Sequence, residues 1–143
     1  MTIARIIAAR TADDIIACDV ATPVSEAVSI LATRRIGALP VLRDGKVAGI
    51  VSERDVIYCL AELGAKCLDL PVERIMTSPA VTVEPATTAD EALGLMTRRR
   101  FRHFPVVENG HLIGFISIGD LVKHKMDEVQ HEANALRDYI QAV

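Results

Sequence analysis

Residues 38–56 read ALPVLRDGKVAGIVSERDV, and residues 103–121, placed 65 positions later, read HFPVVENGHLIGFISIGDL. Each stretch holds two apolar runs joined through Asp44-Gly45 or Asn109-Gly110. Asp-Gly or Asn-Gly between apolar runs marks a β-hairpin, because both central residues of its turn need positive φ. The second run of each pair ends in Gly, two apolar residues, Ser, two variable residues and Asp: Gly49 to Asp55 and Gly114 to Asp120. Ser-x-x-Asp just after a strand is a capping box. The Ser oxygen accepts from the amide three residues on, and the carboxylate lies at the positive end of a helix. Each stretch therefore reads as strand, tight turn, strand, helix.

Extending the 65-residue register aligns 15–60 with 80–125 without a gap. Ala21/Ala86, Thr22/Thr87, Glu26/Glu91, Ala27/Ala92, Arg34/Arg99 and Arg35/Arg100 match upstream of the hairpins. Pro40/Pro105, Val41/Val106, Gly45/Gly110, Gly49/Gly114, Ser52/Ser117 and Asp55/Asp120 match within them. Each copy opens on a short apolar run, Ile15–Cys18 or Ala80–Val83. A helix follows, opened by Thr22-Pro23 or by Thr87 with Asp90, with apolar residues at helical spacing. The unit is β-α-β-β-α, written twice. This predicts an α/β (α+β) fold. Repeat 1, with an N-terminal helix, occupies 1–68; repeat 2, with a short linker helix around 71–76 and an extended C-terminal helix, occupies 69–143. From Val122 the apolar residues Val122, Met126, Val129, Ala133, Leu136, Ile140 and Val143 alternate by four and three. Such a stripe packs on its own domain or on a sister chain, and the spacing leaves both open; an extended coiled coil is the weaker reading.

Half of the 143 residues are hydrophobic, yet there are three Phe, two Tyr and no Trp, so the core must be aliphatic. A net charge of −3 provides no general attraction to nucleic acid. No apolar run approaches the ~20 residues that span a bilayer. The apolar stretch in MTIARIIAAR is too short for a signal peptide's core, so we expect a cytoplasmic protein with no membrane partner. Cys18, Cys59 and Cys67 then read as reduced thiols, spaced for neither a metal nor a redox motif. His124 and His131 read as solvent-facing, and Met76 and Met96 as core. There is no glycine-rich phosphate loop and no nucleophile with a base at hand, so we expect no catalytic residue, no metal site and no required cofactor.

The strands Leu39-Pro40-Val41 and Phe104-Pro105-Val106, the two Gly-to-Asp turns and IMTSPAVTV at 75–83 together resemble the cystathionine-β-synthase (CBS) domain family, as a stand-alone tandem pair. MTRRRFRHFPVVENGHLIGFISIGDLVK at 96–123 is similar to small CBS-pair proteins. The resemblance implies two repeats packed through their sheets about a pseudo-two-fold axis, a disc with two clefts, and a flat homodimer of such discs. It further implies adenosine-containing ligands in the clefts (AMP foremost; ATP, NAD(H) or S-adenosylmethionine as others) and a regulatory role toward an unidentified client protein. The alternative is an interaction protein with vestigial clefts that works through its C-terminal helix.

On that resemblance Asp55 and Asp120 are candidate ribose ligands, since a carboxylate can accept from both hydroxyls of a diol. The helix starts beside Ser52 and Ser117 are candidate phosphate sites. The stronger site is expected from Thr77, Ser78, Arg102, His103, Phe104, Pro105, Ile116, Ser117, Ile118 and Asp120, with Ile116 and Ile118 flanking an adenine. The basic pair Arg102-His103 suits a phosphate; Arg98 and Arg99 are expected to face solvent. A second, weaker site is expected from Pro40, Val51, Ser52, Arg54 and Asp55, with Asp13 and Asp14 repelling phosphate and Arg54 supplying a local cation.

Overall fold

The computed structural model describes residues 1–8, 10, 15–99 and 101–142. The elements run α1 (Ile3–Ile7), β1 (Cys18–Asp19), α2 (Val24–Arg34), β2 (Ala38–Arg43), β3 (Lys46–Ser52) and α3 (Glu53–Leu63). After 3₁₀ turns at Gly64–Asp69 and Val72–Arg74 come α4 (Ala89–Arg99), β4 (His103–Glu108), β5 (His111–Ser117) and α5 (Ile118–Gln141). Expectations placed on Asp13, Asp14, Arg100 and Val143 lie outside the described residues.

Both hairpins form as their turns dictate. Asp44 and Gly45 have φ of 52° and 79°, Asn109 and Gly110 of 53° and 81°. The strands pair antiparallel, Ala38 with Ser52 and His103 with Ser117, and both slip register at the same place, after Val41 and Val106. Both capping boxes are complete: Ser52 Oγ accepts from the Asp55 amide at 3.3 Å and Ser117 Oγ from the Asp120 amide at 3.1 Å.

The copies diverge upstream. β1 pairs parallel with β2, whereas Ala80–Val83 makes one bridge, Val83 with Val106, and no strand. Thr87 does not cap α4. Its hydroxyl accepts from the Glu84 amide at 3.2 Å, as Thr22 accepts from the Asp19 amide at 3.0 Å, so both threonines close the turn before their helix. The cap falls one residue later: Thr88 Oγ1 accepts from the Glu91 amide, and Glu91 accepts from the Thr88 amide, both at 3.1 Å. At the corresponding position α2 has Pro23, which has no side chain able to accept.

Each repeat has its own aliphatic core. Val24, Ala27, Leu39, Val41 and Val51 build the first; Ala92, Phe104, Val106, Ile116 and Leu121 build the second. Their borders differ from the expected ones. α1, grouped by sequence with repeat 1, packs on the second core through fully buried Ile3, whose amide donates to the Thr87 carbonyl at 2.8 Å. The linker does the reverse. Cys67 and Val72 are buried in the first core, with Leu70, Ile75 and Met76 against it. Thr77 then bridges to Ile50 on β3, with N–H···O distances of 3.0 and 2.8 Å. β3 in turn packs against β5. The two repeats thus cross-brace each other, which sequence adjacency does not reveal.

Cys18, Cys59 and Cys67 are free and buried. Burial pushes the thiols of Cys18 and Cys67 up to about 11, so both are protonated at neutral pH. His124 does not face solvent fully; its Nε2 is buried and lacks a hydrogen-bond partner among the described residues. Along α5 only Leu121 is buried. Met126, Val129, Leu136 and Ile140 are 55–67 % exposed, so this part of the stripe does not pack on its own domain.

Candidate functional site

Two clefts open between the repeats. The first, of about 530 Å³, is lined from repeat 1 by Gly37, Ala38, Ile50, Ser52, Glu53, Arg54, Asp55, Ile57 and Tyr58. From the other repeat and its lead-in segment come Thr77, Pro79, Ala80, Val81, Arg99, Phe101, Arg102 and His103. The second, of about 510 Å³, joins Phe115, Ser117 and Asp120 to Arg10, Ile16, Arg35, Ile36, Gly37, Ala38 and His103. Each cleft takes its capping box from one repeat and its facing wall from the other. Both volumes suit a small ligand.

This crossing redraws the expected sites. Thr77 and Arg102 are not brought to Ser117 and Asp120; they stand with Ser52 and Asp55. His103 forms part of the partition and lines both clefts. Phe104, Pro105 and Ile116 are fully buried, as are Pro40 and Val51, so their side chains serve the cores and not a ligand. Ile118, 40 % exposed, lines neither cleft, and Ser78 is spent on the Ala48 carbonyl at 2.9 Å. Arg99 is exposed, as expected, and lines the first cleft. Ile57, Tyr58, Phe101 and Pro79 were not expected from sequence. Ile57 and Tyr58 follow Asp55 on α3, while Pro79 and Phe101 come from the facing repeat and its lead-in, a pairing the 65-residue register carries no signal for.

The two carboxylates share one geometry and differ in partners. Asp55 Oδ2 accepts from the Ser52 amide at 2.9 Å and its hydroxyl at 3.0 Å, which among the described residues leaves Oδ1 with the Thr77 hydroxyl alone, at 3.4 Å. Asp120 Oδ2 accepts from the Ser117 amide at 2.8 Å, but its Oδ1 is held by the Arg10 guanidinium at 2.8 Å. Burial acts to raise the Asp120 carboxyl; the Ser117 amide and Arg10 outweigh it, and the net position is below the usual carboxylate range. His103 stacks on Phe115 with centroids 5.4 Å apart and planes 11° from parallel. Burial holds its imidazole below its ordinary value and Arg102 adds to that, against the pull of Asp120 and Glu53. The first cleft therefore combines a weakly engaged carboxylate oxygen, an apolar-aromatic rim and the arginines Arg54, Arg99 and Arg102. That set can receive a diol, a flat ring and an anion. Among the described residues, no group of three or more His, Cys, Asp or Glu could hold a metal ion.

The CBS-domain family matches residues 7–62 and 72–127. The chain belongs to the CBS-domain family. A CBS-domain protein of Arabidopsis thaliana, CBSX3, mitochondrial, is 36 % identical over 129 residues, covering 87 % of this chain and 63 % of that protein's length. Inosine-5'-monophosphate dehydrogenase of Thermoplasma acidophilum is 33 % identical over 102 residues, 71 % of this chain but 20 % of the enzyme. Among solved structures, a CBS-domain protein of Agrobacterium tumefaciens is 37 % identical with a TM-score of 0.80, covering 87 % of this chain and 92 % of that one. CBSX2 in complex with AMP is 28 % identical with a TM-score of 0.71, covering 80 % of this chain and 90 % of that one. The fold is that of a CBS pair with an extended C-terminal helix, and CBS pairs are regulatory modules.

Proposed function

We propose that this CBS pair binds an adenosine-containing ligand, AMP foremost, in its first cleft and reports it to a client protein without catalysing a reaction. The observation that carries the reading is Asp55 Oδ1. Among the described residues it faces a cleft with three arginines and has a single, long bond from Thr77. A ribose diol at Oδ1 would place the phosphate toward Arg54, Arg99 and Arg102, where charge-assisted bonds favour an anion. The AMP complex of CBSX2 supports the ligand class. Matching of an IMP dehydrogenase over a fifth of its length fits a regulatory portion rather than a catalytic one.

In this reading the ligand acts by population shift. A nucleotide bridging the box of one repeat and the wall of the other favours one relative orientation of the two, and the client reads that orientation. We further propose a cytoplasmic homodimer that covers the exposed apolar residues of α3 and α5. That same exposure favours the second reading, an interaction protein working through α5.

Calorimetric titration of nucleotide-stripped protein with AMP, ATP, S-adenosylmethionine and NADH separates the two. We expect AMP to bind, and Asp55→Ala to weaken it at least tenfold while Asp120→Ala has a smaller effect. Absence of binding by all four would leave the interaction reading standing alone.

A further inference from the structure

We propose that Arg10 is a built-in occupant of the second cleft, a latch on Asp120 that makes the two clefts unequal toward nucleotide; this rests on the nucleotide reading above. The argument is a comparison within one chain. In both boxes Oδ2 of the aspartate belongs to the helix cap and Oδ1 points to the cleft. In the first cleft Oδ1 meets, among the described residues, only a neutral hydroxyl at 3.4 Å. In the second it meets a guanidinium at 2.8 Å, and the same arginine donates its other nitrogen to the Phe115 carbonyl at 3.0 Å.

The arginine has no counterpart. The residue 65 positions on is Ile75, an apolar side chain packed on the first core. Arg10 is also well anchored. Its amide donates to the Ile7 carbonyl at 2.9 Å, and Ile7 packs so closely on β5 that a Cβ at Gly114 would lie 3.2 Å from it. A charge-assisted bond outcompetes the neutral hydroxyls of a sugar for the same oxygen. A nucleotide entering the second cleft must therefore displace Arg10, whereas one entering the first displaces a long bond from a threonine. The pair is about one-third exposed on each side, so releasing it changes an equilibrium by up to about fivefold.

The test uses the full chain in an Asp55→Asn background, which keeps the helix cap but weakens the first cleft. AMP is titrated calorimetrically into that variant and into the same variant with Arg10→Gln. The Asp120 carboxyl is followed by NMR pH titration in both. We expect Arg10→Gln to tighten AMP binding by up to about fivefold and to raise the Asp120 titration midpoint. Unchanged affinity would make Arg10 a bystander, weaker affinity would make it a phosphate ligand, and either overturns the latch. An unmoved Asp120 midpoint overturns it as well. If the wild-type chain binds no adenosine ligand, the functional reading falls and the latch falls with it. The Asp120 titration would then still report whether the ion pair exists.

Discussion

Gly49 stands where the Thr77 peptide crosses β3. A Cβ there would lie 2.6 Å from the Thr77 carbonyl oxygen and 2.8 Å from Met76 Sδ. Backbone cannot yield as a side chain can, so Gly49→Ala should destabilise by about 1–3 kcal/mol in urea unfolding. Gly114→Ala meets only side-chain atoms, Ile7 at 3.2 and 3.3 Å, and should cost less. Equal losses would deny that the linker crossing is what selects glycine at 49. His103 carries a pH prediction. Its folded imidazole sits below its ordinary value, so the unfolded chain binds the proton more readily. Stability is then complete above the unfolded value of ~6.5 and falls as pH drops through it, by at most ~1.4 kcal/mol per unit. His103→Gln should flatten that part of the curve of stability against pH; an unchanged slope would assign it to other groups. Asp120 acts lower: with its folded value depressed, its contribution is present above ~3.9 and lost as pH falls through the folded value.

Capping separates the two upstream helices. α4 has the Thr88–Glu91 box, and Thr88→Ala should cost about 1 kcal/mol in thermal or urea unfolding. α2 begins after Pro23 with no side-chain cap and ends on Arg35 in the left-handed region, at φ 52°. Its N-terminus is the less well capped of the two, and it relies on Val24, Ala27 and Leu31 in the core. α5, 24 residues and about 36 Å long, is a different case. Beyond Leu121 it contributes little to its own core, so Leu136→Glu should change unfolding stability of the isolated chain by less than ~0.5 kcal/mol. In light scattering the same variant should move the mass from dimer to monomer. A large loss of stability without a change of mass would place the stripe on its own fold.

At the scale of the molecule, the crossed segments bind the two repeats into one folding unit. Ile3 is 0 % exposed in the second core although it opens the chain, and Val72 is 0 % exposed in the first although it leads into the second repeat. Ile3→Ala should cost about 2–5 kcal/mol. We expect one transition, with calorimetric and van't Hoff enthalpies equal, shifted as a whole by that substitution. Two separable transitions would show that the repeats fold independently. Gly37, Ala38 and His103 line the two clefts together, so in the proposed reading a ligand in one cleft would touch both repeats.

What could be read from the chain is what acts over a few residues. Asp44-Gly45 and Asn109-Gly110 force their turns through φ, Ser52 and Ser117 cap through the third amide on, and the 65-residue register exposes a duplicated unit. Near misses were of the same short range: Thr87 and Thr88 are both able to accept, and only backbone geometry decides which closes the turn and which caps α4. The clefts were beyond such reading. Arg102 and Thr77 follow one box and precede the other, so sequence order assigned them to Asp120, yet the packing of the two repeats brings them to Asp55. Alternation likewise could not tell that Phe104 and Ile116 face the core while Tyr58 faces the cleft. Local chemistry writes the elements. Which wall faces which carboxylate depends on how two apolar sheets bury each other, an energy that belongs to the assembled pair and to no stretch of either repeat.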